Sequence, residues 1–263
     1  MLDRHRQAAA VVGSNIYVYG GLDNDDIFSS LYILDTTNLI WKEVPVSGEW
    51  PCARHSHAMV AHGSQIFVFG GYNGAKALDD LYSFDIQKGQ WKKEETAGRN
   101  PHARFSHSMF VYKNYIGVIG GCPVRQNFQE LALLDLQRRQ WNHVVLDSVG
   151  KDLFVRSTAC VVGDDLVMVG GGASCYAFGT KFSEPAKVSL LHLMPSYDDH
   201  IDVKNKKRDK DKQNNGKNKI KIHSFEEPQL EHVPDISGNG DMHLDDESPV
   251  PNDQFRKIGR AHV

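Results

Sequence analysis

His55 and His57, in the stretch Arg54-His55-Ser56-His57, are the residues of this chain whose type and spacing come closest to metal chemistry. On a strand, positions i and i+2 place both imidazoles on one face. No third ligand of suitable spacing accompanies them. His107 stands fifty residues after His57 in the same setting, Arg104-Phe105-Ser106-His107. The pair therefore reads as a repeated structural position, with His5 and His55 expected to face a loop. The four cysteines, Cys52, Cys122, Cys160 and Cys175, lack the Cys-x-x-Cys spacing of a zinc cluster or a redox pair and read as reduced structural thiols. Motifs for a serine nucleophile elbow, a Walker phosphate loop, a dinucleotide fold and a zinc protease are all absent. Gly170-Gly171-Gly172-Ala173 resembles a phosphate loop, but it is the fourth member of a series of glycine pairs. No catalytic residue, metal ligand or cofactor contact is assigned to this chain.

Charge and hydropathy narrow the class of partner. Of 263 residues, 40% are hydrophobic and 24% charged, with a net charge of −3. Residues 1–200 hold 18 Lys and Arg against 21 Asp and Glu, while residues 201–263 hold 12 of each. A slightly acidic body argues against a basic nucleic-acid-binding face. No apolar run reaches the ~18 residues of a membrane span, and the start, Met1-Leu2-Asp3-Arg4-His5-Arg6, is polar where a signal peptide would be apolar. The expectation is a protein without a membrane partner, cytoplasmic or nuclear.

The elements that must position any site come from a repeat. Gly20-Gly21, Gly70-Gly71, Gly120-Gly121 and Gly170-Gly171 recur every fifty residues, as do Trp41, Trp91 and Trp141, Asp35, Asp85 and Asp135, and Arg4, Arg54 and Arg104. Each glycine pair stops a short apolar run rich in β-branched and aromatic residues: 16–19, 66–69, 116–119 and 166–169. Such runs read as strands. A second strand follows at 31–35, 81–85 and 131–135, a third begins at each Trp, and a fourth carries Arg-x-Ser-His-x-Met (Arg54 to Met59, Arg104 to Met109) into the next unit. Glycine suits a strand that must leave its sheet sharply at positive φ. An indole fills the wedge between sheets, so Trp41, Trp91 and Trp141 are expected in the core.

Four strands per fifty residues, with a Gly-Gly pair and a late Trp, resemble the kelch repeat. The resemblance implies an all-β, kelch-type β-propeller, here partial. The expected division is three full units, about 4–53, 54–103 and 104–155, and a degenerate fourth, 156–195. Kelch propellers typically have six blades, so an open arc with exposed edges and poor behaviour in isolation is expected.

Between each glycine pair and the next strand lie nine residues, 22–30, 72–80 and 122–130, equal in length and unrelated in content. A fixed frame with variable loops is how scaffolds carry recognition. The candidate partner residues are Asp23, Asp25 and Asp26 in the first loop, Asn73, Lys76, Asp79 and Asp80 in the second, and Arg125, Asn127 and Phe128 in the third. Their mixed charge suits a protein partner.

The fourth unit lacks the Trp and runs Gly170-Gly171-Gly172-Ala173-Ser174-Cys175-Tyr176-Ala177-Phe178-Gly179-Thr180. This segment, closing a run of kelch repeats, resembles the tRNA wybutosine-synthesising family. Membership implies a parent enzyme that modifies the guanosine beside the anticodon of phenylalanine tRNA with S-adenosylmethionine. Its catalytic parts would lie outside this chain, and the repeats would contact a protein partner, neighbouring catalytic domains or tRNA. A generic kelch interaction module, such as a ubiquitin-ligase adaptor or a cytoskeletal scaffold, is the alternative. Residues 196–257 read as a disordered charged linker: 204–221 hold nine Lys and Arg against two Asp, and 224–254 hold nine acidic residues and no Lys or Arg. The ending, 258–263, back-translates to a sequence resembling a short-read sequencing adapter and is expected to be an artefact.

Overall fold

The computed structural model describes residues 3–45, 47–123, 129–146, 155–171, 185–191 and 193. Every regular element among them is a strand. The first blade holds Ala8–Val12, Asn15–Tyr19, Leu31–Asp35 and Ile40–Glu43, paired antiparallel in that order. The second repeats it with Ala58–His62, Gln65–Phe69, Leu81–Asp85 and Gln90–Lys93, and the third with Ser108–Tyr112, Tyr115–Ile119, Gln129–Asp135 and Gln140–Leu146. The fourth holds Thr158–Val162, Asp165–Val169 and Ala186–Ser189. The first strands of successive blades pack on one another and form the inner wall. This is a partial kelch-type propeller, three full blades and a degenerate fourth.

Register keeps the repeat in step: Tyr19 pairs with Leu31, Phe69 with Leu81 and Ile119 with Leu131. The repeated aspartate closes the hairpin that follows. Asp35 accepts from the Thr37 amide at 2.8 Å, Asp85 from Gln87 and Lys88 at 3.0 and 3.1 Å, and Asp135 from Gln137 and Arg138 at 2.9 and 3.0 Å. Backbone hydrogen bonds from Thr37 hold the Asp35 carboxyl below the usual range.

The Arg-x-Ser-His segment departs from the sequence expectation. It is not a strand, and the strands it leads into, Ala58–His62 and Ser108–Tyr112, are the first of their blades. Ser56 and Ser106 take φ of 54° and 55°, which breaks extended geometry before the strands begin at Ala58 and Ser108. His55 and His57 therefore do not share a strand face.

Apolar layers lie between blades. Tyr19, Leu31, Ile66, Phe84 and Trp91 fill the first seam, Phe67, Phe69, Ile116, Leu134 and Trp141 the second, and Phe110, Leu133, Leu166 and Leu190 the third. Trp91 is 2% exposed, with its ring 5.2 Å from Tyr19 of the preceding blade, and Trp141 is 3% exposed, 5.9 Å from Phe69. Trp41 corrects the expectation of a third core indole, because it is 38% exposed. Its sheet has no described blade on the side where the other two tryptophans find their aromatic partners.

The first two seams are each locked by the glycine pair of one blade and the Arg-x-x-His segment of the next. Gly21 donates its amide to the Arg54 carbonyl at 2.9 Å, and Gly71 to that of Arg104 at 2.8 Å. A Cβ on Gly20 would sit 2.5 Å from the Arg54 carbonyl oxygen and 2.7 Å from His57 Cε1, at a φ of 66°. Only glycine permits that approach. His57 then packs edge-on to Tyr19 at 5.4 Å, and His107 to Phe69 at 5.5 Å. Burial first, and the Arg54 charge second, bring the His57 pKa down to about 3; burial and Arg104 do the same for His107. Neither ring makes a well-formed hydrogen bond, and the nearby Tyr19 and Phe69 backbones offset burial only in part.

The chain leaving the first and second blades also covers the outer strand of the next. Ser47–Gly48 pairs parallel with Gln90 and Trp91, and Ala97 bridges to Gln140.

Candidate partner-binding face

The first two variable loops leave from glycine pairs, so they emerge on the end of the blades where the Arg-x-x-His segments lie. In the first loop Leu22–Asp23 and Asp26–Ile27 form a small hairpin about Asn24, whose φ is 49°. That turn leaves Asp23, Asp25 and Asp26 exposed. The second loop lies beside it, since a Cβ on Gly74 would come 3.1 Å from Ile27 Cδ1.

Within the second loop the predicted residues divide. Lys76 and Asp79 are exposed. Asn73 turns inward and accepts from the Ala75 and Lys76 amides at 3.0 and 2.9 Å, so its side chain shapes the loop. Asp80 is removed from the candidate surface. It binds the fully buried Arg54 guanidinium at 2.6 and 3.0 Å, and Arg54 also donates to the Gly70 carbonyl at 2.9 Å. The equivalent arginines make the same carbonyl contact, Arg4 with Gly20 at 3.0 Å and Arg104 with Gly120 at 2.9 Å. Arg125, Asn127 and Phe128 lie outside the described residues. The same loop ends at Glu130, which pairs with Arg99 and, at 3.3 Å, with His143.

A second set of residues, between the loops and the inner wall, was not singled out from the sequence. Arg6, Ser56, Ser106 and Arg156 all take φ between 54° and 61°. Ser56 donates its amide to the Arg6 carbonyl at 2.8 Å, Ser106 to Ser56 at 2.7 Å, and Arg156 to Ser106 at 2.9 Å. This ladder joins all four blades at one level. Beside it His55 pairs with Tyr72 and Phe105 with Cys122 across backbone bridges. The rings of His55 and Tyr72 lie 5.7 Å apart and those of Tyr72 and Phe105 5.6 Å apart, and His55 Nδ1 is 3.0 Å from Ser56 Oγ. Burial, then the Arg6 and His5 charges, lower the His55 pKa, so its ring is neutral at pH 7. The floor between the acidic hairpin and the second loop is thus aromatic, with the Ser56 hydroxyl against His55 and the Arg6 charge at its edge. The signal for it was the change from His to Phe between Arg54-His55-Ser56-His57 and Arg104-Phe105-Ser106-His107, where the flanking residues do not change.

Chemically, this face offers carboxylates, a lysine, hydroxyls and ring edges. Among the described residues no group of three or more His, Cys, Asp or Glu could hold a metal ion, and no helix is long and apolar enough to cross a membrane. Gly170 and Gly171, at φ of 72° and 97°, end a strand as the other pairs do, and residues 172–184 that follow lie outside the described residues.

A family model described as the KLHDC2/KLHL20/DRC7 Kelch-repeats domain matches residues 3–184. The chain is 65% identical over 198 residues to tRNA wybutosine-synthesizing protein 2/3/4 of Arabidopsis thaliana, covering 75% of this chain and 20% of that protein. It is 58% identical over 193 residues to the protein of the same name from Oryza sativa subsp. japonica, covering 73% of this chain and 18% of that one. The chain therefore spans about a fifth of the length of the curated relatives it matches. A solved structure described as "Structure of YjhT" superposes with a TM-score of 0.52 at 18% identity, over 64% of this chain and 59% of that one, and shares the fold.

Proposed function

The chain belongs to the Kelch-repeat family, and from that premise we propose that it is the recognition segment of a tRNA wybutosine-synthesising protein, binding through its loop face and carrying no chemistry of its own. The observation that carries this reading is the identity of 65% to the Arabidopsis protein across the repeats, combined with a repeated strand frame from which loops of equal length and unrelated content emerge. In such a protein the reaction would use S-adenosylmethionine to modify the guanosine beside the anticodon of phenylalanine tRNA. Among the described residues Gly170-Gly171 closes a strand in the way the other glycine pairs do. The donor would be held by other parts of the polypeptide.

The partner this face suits is a protein surface or a neighbouring catalytic domain. Exposed Asp23, Asp25 and Asp26 disfavour a phosphate backbone there. Contact with tRNA, if made by this chain, falls to the basic stretch 204–221, which lies outside the described residues. The test is done in the complete protein. Tyr72→Ala with Phe105→Ala should lower the wybutosine content of phenylalanine tRNA in cells while the purified enzyme keeps its turnover on saturating tRNA. Unchanged modification in cells would overturn the recognition role. Deletion of 204–221 should weaken tRNA affinity and flatten its salt dependence if that stretch binds tRNA.

A further inference from the structure

Each blade turns the same face to its successor, so repeat-equivalent residues at the seams compare directly. On that face the first blade carries Ile33 and Val44, and the third carries Leu133 and Val144, all packed in apolar layers. The second blade has Ser83 and Glu94 at these positions. Ser83, 3% exposed, donates its hydroxyl to Glu94 Oε1 at 2.6 Å, and the Glu94 side chain is 8% exposed. Arg139 of the third blade reaches across the seam to Glu94 Oε2, where the equivalent residues are Leu39 and Gly89. Burying a carboxylate where sister seams bury hydrocarbon is unfavourable. The fold does not demand it, because the other two seams close without it.

Next to this polar insertion the seam holds a cleft of about 630 Å³. That volume falls within the ~300–1,000 Å³ of small-molecule sites. Its floor is Phe67, Leu81, Leu134 and Leu136. The cleft opens among the short hairpin turns, at the opposite end of the strands from the variable loops. Its charges are nearly matched: Arg139 answers Glu94, and Lys88 answers Asp85 at 3.0 Å. Lys92 is left with a loose 3.9 Å contact to a carboxylate already engaged, and its side chain is 64% exposed at the rim.

We infer that the cleft between the second and third blades binds a small molecule with a flat apolar body and one anionic group, the body lying on Phe67, Leu81, Leu134 and Leu136 and the anion meeting Lys92. The site is independent of the loop face and leaves that face free. The test uses the whole chain and anilinonaphthalene sulfonate, which has a flat apolar body and one anionic group, followed by fluorescence titration. Saturable single-site binding is expected. The triple variant Ser83→Ile, Glu94→Val, Arg139→Gly gives the second seam the residues of the first, and it should weaken binding at least ~tenfold in Kd. Lys92→Glu, a surface change that the fold tolerates, should weaken it by a similar factor with unchanged far-UV circular dichroism. Trp41→Gln, on the open face of the first blade, should leave it unchanged. Wild-type affinity in either cleft variant, loss of binding in Trp41→Gln, or no saturable binding to the wild-type chain would each overturn the assignment.

Discussion

The first and second blades have nearly the same sequence pattern and very different surroundings. Both carry Asp before the last hairpin, Trp in the outer strand and Arg ahead of the inner one. In the second blade the outer strand is paired along its far edge with Ser47–Gly48, and Trp91 is buried against Tyr19. In the first, all four residues of Ile40–Glu43 are exposed, Trp41 among them. The indole is therefore not buried by its own blade. Its burial is supplied by the preceding one, as expected of repeats that contact only their neighbours.

The sharpest way to break this comparison is to truncate the same residue in both settings. Trp91→Ala should cost about 3–5 kcal/mol, the range for a buried aromatic, whereas Trp41→Ala should cost less than about 1 kcal/mol. Urea unfolding of the two variants reads both values, and equal losses would sink the idea that a neighbour makes the core. The arginines come next. Arg54→Ala leaves Asp80, which is 19% exposed, without its partner and should cost about 3 kcal/mol. Arg4→Ala removes contacts to the Gly20 carbonyl, the Ser30 hydroxyl and the Phe28 ring, and should cost about 1 kcal/mol, less than Arg54→Ala because Arg4 is only part-buried.

How much of this was legible beforehand follows from what each residue depends on. The strands were readable because alternation, the stopping glycines and the fifty-residue period are local properties of the chain. Trp41 was misplaced because its environment depends on which blade stands beside it, and the repeat period is silent on that. Arg54-His55-Ser56-His57 was read as extended because nothing in a serine announces positive φ, which here is imposed by the backbone ladder between blades. At the candidate site, the exposed acids of the first loop were visible as a charged turn. Asp80 looked the same as Asp79 in sequence, and only the position of Arg54 separates the anchoring carboxylate from the free one. The aromatic floor was obscured because its rings come from segments that the repeat places together only in space.

Acid sharpens the comparison further. His57 and His107 have folded pKa values of about 3, below the ordinary value near 6.5. The unfolded chain therefore takes up these protons first, so stability is complete above about pH 6.5 and falls as pH drops toward 3. The slope is at most about 1.4 kcal/mol per pH unit for each histidine. His57→Gln, which places the first blade's Gln7 residue in the seam, should flatten the fall between pH 6 and 4 when midpoints of urea unfolding are compared. An unchanged slope would mean that this imidazole is not held neutral by burial.

The smallest effect concerns the indole nitrogens. Trp141 Nε1 donates to Thr96 Oγ1 at 3.1 Å, while Trp91 Nε1 is buried without a hydrogen-bond partner among the described residues. Thr96→Val should make the second seam resemble the first at a cost of about 1 kcal/mol. Thermal unfolding that shows no loss would remove the hydrogen bond from the account.

Amide hydrogen exchange at the seams tests the locking of successive blades most directly. The Gly21, Gly71, Ser56 and Ser106 amides donate only to the neighbouring blade. If each glycine pair and Arg-x-x-His segment locks two blades into one cooperative body, these amides should exchange as slowly as those inside the strands 65–69 and 115–119. Exchange at the rate of an open loop, while the strands remain protected, would contradict it.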